Sequence, residues 1–268
     1  MIRVTVQGAA GRMGRMLVAQ VAGNADMKLI GATEQESSPF LGQDAGMVAG
    51  VGALGVPLTT DLDGCLAQSD AVIVFTAPIP TMEVAQKASA AGVAMVIGTT
   101  GLDAEQKATL AELAQKGARI VFSPNMSVGV NLLFALCDKA ARLLGDDYDI
   151  EVVEMHHNQK KDAPSGTAAR LGEILAKARG LSYEKDVAHG RVGLPGARPK
   201  NEIGMHSLRG GDVVGDHTVI FATSGERIEL THKASSRETF AKGAIRAVRF
   251  LADARPGLYD MQDVLHLK

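Results

Sequence analysis

The chain has no tryptophan, three tyrosines and two cysteines among its 268 residues. So few aromatic rings leave little on which nucleic-acid bases could stack. Lys plus Arg, at 28, does not exceed Asp plus Glu, at 30, and the basic residues are scattered. Nucleic acid is therefore not an expected partner. Cys65 and Cys137 lie far apart in apolar surroundings, which argues against a disulfide framework and a thiolate metal site. There is no HExxH and no second histidine pair, so no metal is expected. No apolar run approaches the roughly 18 residues of a membrane span. The chain opens on strand-like "IRVTVQG" with no charged, apolar and cleavable leader pattern, so a cytoplasmic protein without a membrane partner is expected. Internal repeats, charge blocks and low-complexity linkers are also missing.

What remains is a length sufficient for two modest domains and a regular alternation of elements. Short apolar strands at "RVTVQG" (3–8), "MKLIGAT" (27–33), "AVIVFT" (71–76), "AMVIG" (94–98) and "RIVFS" (119–123) alternate with helical periods. The helices are expected over about 12–22, 80–91 and 104–116. Continuous apolar strands separated by helices imply a parallel sheet covered on both faces, so the fold class is α/β, Rossmann-like and doubly wound.

A helix over about 128–144 and "DIEVVEMHH" begin a second part of the chain. Leu171, Ile174, Leu175 and Ala178 follow at helical spacing. Residues 183–204 are too rich in Gly and Pro for a regular element and read as a long loop. "DHTVIFAT" and "ERIELTH" then alternate with period two around Ser224-Gly225, a β-hairpin in a second, β-rich domain. The last segment is helical, with Ser235 and Glu238 at capping-box spacing.

Gly8, Gly11 and Gly14 stand between a strand and a helix, the context of a dinucleotide-binding turn, although the spacing is G-x-x-G-x-x-G. There a glycine permits the tight turn, and the helix N-terminus offers unpaired N–H groups to a pyrophosphate. Glu34, twenty residues after Gly14 and just past the second strand, is placed to accept the adenosine ribose hydroxyls. Gln35 beside it is not the arginine that would pair with a 2'-phosphate, which leans the choice toward NADH over NADPH. Arg12 is the residue left to serve that phosphate. Loops 76–78, 98–101 and 123–127 follow directly after strands and would complete the rim.

The densest chemistry is in "EMHHNQKKDAPSGTAARLG" (154–172). Adjacent strand residues point to opposite faces, so His156 and His157 do not share one target while the strand continues. A histidine can give or take a proton near neutral pH, and a lysine a few residues on adds a fixed cation or a second acid. Pro164, Ser165, Gly166 and Thr167 read as the beginning of a helix with open amides, an anion site. Together these features suit a small substrate bearing carboxylates, and hydride from a nicotinamide needs the proton they can supply. From the residues alone, another NAD(P)H-dependent imine reductase and a non-catalytic dinucleotide sensor remain alternatives. The His and Lys cluster counts against the sensor, which has no use for it.

"GAAGRMG", "GTTG", "SPNMSVGVN", "EMHHNQKKDAPSGTA" and "GERIELTHKASSRETFAKGAIRA" resemble, in order and spacing, the 4-hydroxy-tetrahydrodipicolinate (dihydrodipicolinate) reductases of lysine and diaminopimelate biosynthesis. The resemblance spans nearly the whole chain. It implies a dinucleotide-binding domain of residues 1–127 and 237–268, and a substrate-binding and tetramerisation domain, α+β with a mixed sheet, of residues 128–236. It also implies NADH and/or NADPH as cofactor, a dicarboxylate substrate and a homotetramer. His156 would be the acid/base and Lys160 the proton donor, with His157, Ser165, Gly166 and Thr167 holding substrate. Gly8, Ala9, Ala10, Gly11, Arg12, Met13 and Glu34 would hold the adenosine and pyrophosphate. Gly98, Thr99 and Thr100 would face the nicotinamide, and Ser123, Pro124, Asn125 and Met126 the hinge side of the cofactor. Family members commonly carry Arg where this chain has Gln35, which bears on NADP use.

Overall fold

A computed structural model describes all 268 residues and divides them into two compact units, Met1–Val128 with Glu238–Lys268, and Gly129–Arg237. In chain order the first unit contributes β1 (Ile2–Gln7), α1 (Arg12–Ala22), β2 (Met27–Thr33), α2 (Ala45–Ala49), β3 (Leu58–Thr59) and α3 (Leu62–Leu66). It continues with β4 (Ala71–Val74), α4 (Pro78–Ala90), β5 (Ala94–Ile97), α5 (Ala104–Gln115) and β6 (Arg119–Phe122). After α6 (Val128–Leu144) the second unit adds β7 (Asp149–His156), α7 (Gly166–Ala178), α8 (Tyr183–Asp186), β8 (Val187–His189), β9 (Ile203–Arg209), β10 (Gly215–Thr223) and β11 (Glu226–Ala234). The chain then returns to the first unit with α9 (Glu238–Asp253), β12 (Gly257–Tyr259) and α10 (Met261–Val264).

The first unit is a seven-stranded sheet ordered β12-β6-β5-β4-β1-β2-β3, with every pairing parallel. All four residues of β4 and all four of β5 are buried, as strands covered on both faces must be. Their alternation divides the core. Ala71 and Ile73 face a cluster with Leu17, Val18 and Val21 of α1 and Ala244, Val248 and Leu251 of α9. Val72 and Val74 face Val84 and Ala88 of α4 and Leu110 of α5. The chain winds outward from β1 in both directions, so the carboxyl ends of β1 and β4 flank the switch point where such sheets bind ligands.

The second unit is a mixed five-stranded sheet ordered β11-β10-β7-β9-β8; β7, β9 and β8 run parallel, and β10 pairs antiparallel with β7 and β11. One face packs on α6 and α7 through Ile150, Val152, Ile203, Met205, Val219 and Phe221. Those strands keep their apolar character only for part of their length. Read every second residue, β7 runs Ile150, Val152, Glu154, His156, and β9 runs Ile203, Met205, Ser207, Arg209. Antiparallel β10 reads Phe221, Val219, His217, Gly215 in the matching register. All three change from apolar to polar at the same end of the sheet.

Two expectations need correction, and two strands were not foreseen. The segment 183–204 is not wholly loop, since α8 and β8 occupy Tyr183–His189; its remainder is pinned because Arg191 and Arg198 both reach the Glu151 carboxylate on the opposite sheet face. β9 and β12 stood unread in the sequence. The last helix is recorded from Glu238, two residues beyond the start that a Ser235 cap sets.

Candidate active site

In the first unit the glycine turn is shaped by the residues around it. Gly8 has a φ of +70°, a conformation open to glycine, and a Cβ there would stand 2.7 Å from the Thr76 methyl. A Cβ at Gly14 would run into the Gly8 carbonyl and the Ala9 backbone, so this glycine lets α1 press against the turn. The amides of Gly8 and Ala9 both donate to the Thr33 carbonyl, at 2.8 and 3.1 Å, which hangs the turn on the end of β2. Gly11 caps α1 with extended backbone and no side-chain hydrogen bond. A helix N-terminus of this kind can accept an anion.

Glu34 sits at this turn, and its Oε1 accepts the Ala10 amide at 2.8 Å. Arg15, which the sequence reading did not single out, donates from Nε to the Ala10 carbonyl at 2.8 Å and lies 4.9 Å over the Phe40 ring. Arg12 and Gln35 are exposed, and Met13 packs half-buried against the core.

The other rim residues divide into surface and support. Thr99 is buried; its hydroxyl bonds Thr81 Oγ1 at 2.7 Å and accepts the Thr76 amide at 3.1 Å, so the side chain ties the loops after β4 and β5 together. Thr100 beside it is exposed. A Cβ at Gly98 would overlap the Phe75 ring. Ser123 is buried and donates to the Asn125 carbonyl at 2.8 Å, Pro124 is exposed, and the Met126 side chain belongs to the core. Thr99, Ser123 and Met126 therefore have inward side chains.

In the second unit the polar end of the sheet collects Glu154, His156, Arg209, Ser165 and His217. Glu154 is fully buried, and its two oxygens are met by Arg209, Ser165, His156 and the Ser207 side chain. Arg209 forms a fork to Oε1 and Oε2, both at 2.9 Å; Ser165 N–H reaches Oε1 at 3.2 Å and His156 Nδ1 reaches Oε2 at 2.6 Å. Burial opposes the Glu154 charge, yet Arg209 and His156 hold its carboxyl below the usual range. A carboxylate has no proton to give, so Nδ1 of His156 must carry the hydrogen, and Nε2 is the nitrogen left for chemistry. Burial pulls His156 below the ordinary histidine range against the opposing pull of Glu154, and the nearby charges of Lys160 and Arg209 add to the lowering. Burial thus favours the neutral imidazole of His156.

His217 packs edge-on to His156 with ring centroids 5.2 Å apart. It is 3% exposed and bonds Ser165 Oγ through Nε2 at 3.1 Å, while its Nδ1 has no partner. Burial, followed by the neighbouring His156, pushes it down to about 3, so it stays neutral.

Ser165 is the N-cap of α7, and its hydroxyl accepts the Ala168 amide at 3.2 Å. Gly166 is exposed and a Cβ there would meet nothing within 4 Å, so no packing inside the chain calls for glycine. Lys160 is 19% exposed and pairs with Asp162 at 2.9 Å. The half-buried His157 is anchored by its amide to the Val213 carbonyl at 2.7 Å. Glu154, Arg209 and His217 are the members of this cluster that the sequence reading missed. The period-two pattern Glu154, Met155, His156 was the available signal for the first.

A Rossmann-like parallel sheet with a glycine turn, joined to a mixed-sheet unit carrying a buried acid and histidine pair, defines an oxidoreductase of the two-unit type. A family model, dihydrodipicolinate reductase, N-terminus, matches residues 2–126, and its companion, dihydrodipicolinate reductase, C-terminus, matches residues 129–265. The 4-hydroxy-tetrahydrodipicolinate reductases of Syntrophotalea carbinolica and Hahella chejuensis are 51% and 52% identical over 268 residues, covering all of both chains in each case. The solved dipicolinate-bound dihydrodipicolinate reductase from Paenisporosarcina sp. TG-14 superposes with a TM-score of 0.78 at 26% identity, covering 98% of each chain. The chain belongs to the dihydrodipicolinate reductase family. Its activity is the reduction of 4-hydroxy-tetrahydrodipicolinate in lysine biosynthesis, in a family that uses NAD(P)H. No helix is long and apolar enough to cross a membrane.

Proposed function

We propose that residues 1–127 and 237–268 bind the dinucleotide, that residues 128–236 bind the substrate, and that His156 and Lys160 handle the protons of the reduction. The observation that carries this reading is the polar end of the β7, β9 and β10 face, where a buried carboxylate fixes a neutral histidine near the first turn of α7. When bound, NAD(P)H supplies a hydride to the unsaturated ring formed as the substrate loses its hydroxyl as water. The protein must then place the ring, neutralise its acid groups and deliver a proton.

The start of α7 suits the first task. The Gly166 and Thr167 amides lie at the positive end of a 13-residue helix, and an exposed glycine with open space above it lets a carboxylate approach the backbone. The dipicolinate in the Paenisporosarcina structure is such a flat ring dicarboxylate. Lys160 provides fixed positive charge and a proton, His157 contacts the ring, and His156 exchanges protons through Nε2. On the cofactor side, the Gly8–Met13 turn takes the pyrophosphate, Glu34 the ribose hydroxyls, the 98–100 loop the nicotinamide side and the 123–126 loop the hinge side of the cofactor. For the buried Thr99, Ser123 and Met126, contact is through the backbone.

Glu34 puts negative charge where a 2'-phosphate would lie, and the neighbouring Gln35 is neutral, so NADH is preferred or used as well as NADPH. The helix-free face of the second sheet presents Val153, Met155, Leu208 and Ile220. This supports association of sheets into a homotetramer, which sedimentation checks. One assay tests the rest: oxidation of NADH and of NADPH with freshly prepared substrate, for wild type, His156→Ala and Lys160→Ala. A proton-transfer group contributes about 10²- to 10⁴-fold in rate. Both variants should lose activity on that scale while still binding NADH. Near wild-type turnover in both would overturn the assigned roles, and a strong NADPH preference would overturn the reading of Glu34 and Gln35.

A further inference from the structure

A carboxylate removed from water is costly unless its lone pairs are met, and Glu154 has no exposed side-chain surface. The Arg209 fork by itself would balance the charge and join β7 to β9. What a purely structural pair does not require is the third contact, Oε2 to His156 Nδ1 at 2.6 Å, made by a residue two positions along the same strand face. Arg209 is itself fixed, since Nη2 also donates to the Asp162 carbonyl at 2.8 Å and its backbone pairs with His156 in the sheet register. The Ser207 side chain also bonds the carboxylate, and the Ser165 amide links it to the beginning of α7.

We infer that Glu154 is a positioning residue for the reduction: clamped by Arg209, it accepts the Nδ1 proton of His156 and fixes the tautomer whose Nε2 faces the reaction. Its carboxylate also stabilises the imidazolium each time His156 holds a second proton. The inference rests on His156 being the acid/base. The groups facing the His156 ring are Glu154 on its own strand, Arg209 from β9, His217 from β10 and Lys160 from the loop that follows β7. Of these, Glu154 is the one anion. Replacing it with a neutral group leaves three groups that oppose or do not favour a proton on His156.

The test joins one measurement on the unaltered protein to one variant. Nitrogen-15 NMR of the imidazoles in wild type should show His156 protonated at Nδ1 and bare at Nε2 above its titration; the opposite tautomer overturns the inference. Glu154→Gln should lower kcat by roughly tenfold or more, within the range of about 10- to 10⁴-fold lost when orienting partners are removed from other histidine sites. KM for substrate and for NADH should stay within about twofold if binding is untouched. The limb of the kcat profile that reports His156 should move to lower pH, which a merely structural loss would not cause. Wild-type kcat and pH profile in Glu154→Gln, with His156→Ala inactive, would remove Glu154 from the mechanism while leaving His156 in place. Active His156→Ala would instead overturn the parent reading, and this inference with it. Should Glu154→Gln fail to fold, the tautomer in wild type decides.

Discussion

Ser165→Ala removes one oxygen atom and disturbs two things at once. The hydroxyl accepts the Ala168 amide as the cap of α7, and loss of such a cap costs roughly 0.5–2 kcal/mol. The same oxygen is the partner of His217 Nε2, on a ring that is 3% exposed and whose Nδ1 already lacks one. Leaving a buried polar group unmet costs about 1–3 kcal/mol. Together these give a loss of about 3 kcal/mol, concentrated in the second unit. Hydrogen exchange is the suitable assay because it reads units separately. Amides of the first turn of α7 should exchange faster by roughly two orders of magnitude, since 1.4 kcal/mol is a factor of ten, while amides of β4 and β5 should not change. KM for substrate should rise as the carboxylate site frays, with NADH binding unaffected. Ser165→Thr retains a hydroxyl and should recover most of the loss. A change below about 1 kcal/mol, or an equal loss in Ser165→Thr, would refute the reasoning.

Acid stability should depend on Glu151, on the sheet face opposite the site. Burial opposes its charge, but Arg191, Arg198 and His206 hold it down at about 2 against an ordinary 4.5. A depressed carboxyl contributes stability that is full above the unfolded value and is lost as pH falls from about 4.5 to about 2. The difference of about 2.5 units corresponds to roughly 3 kcal/mol. Glu151→Gln should therefore be less stable at pH 7 and show a flatter decline through that window in urea titrations followed by circular dichroism; an unchanged slope would contradict the linkage. Gly243→Ala should damage the cofactor side, because a Cβ there runs into the Met126 carbonyl and must displace either α9 or the 123–126 loop. Overpacking of this kind costs about 1–3 kcal/mol. Weaker NADH binding with unchanged dipicolinate binding, both by calorimetry, is the expected outcome, and unchanged NADH affinity would count against a role for that loop.

The parts of the molecule that were legible in the sequence are those whose signal is local. The continuous apolar runs of β4 and β5, the glycines before α1 and the Pro-Ser-Gly-Thr start of α7 each carry their meaning within a few residues. Strands of two or three residues such as β3, β8 and β12 are too short to show a period. β9 was hidden because its face changes from Ile203 and Met205 to Ser207 and Arg209 midway. Arg209 and His217 could not be joined to His156 from the sequence. They lie 53 and 61 residues away, and only the pairing of β9 and β10 with β7 brings them together. Glu154 needed no long-range knowledge, only the observation that alternate residues of a strand share a face. The resemblance to the reductase family supplied the chemistry, whereas the contact of His156 Nδ1 with the Arg209-bound Glu154 came from the fold.

The roles of His156 and Lys160 are tested most directly by a crystal structure of the chain with NADH and dipicolinate bound together. One ring carboxylate should lie on the Gly166 and Thr167 amides, with His156 Nε2 and Lys160 Nζ directed at the ring and His156 Nδ1 still on Glu154. A ring bound elsewhere, or those two side chains turned away from it, would contradict those roles.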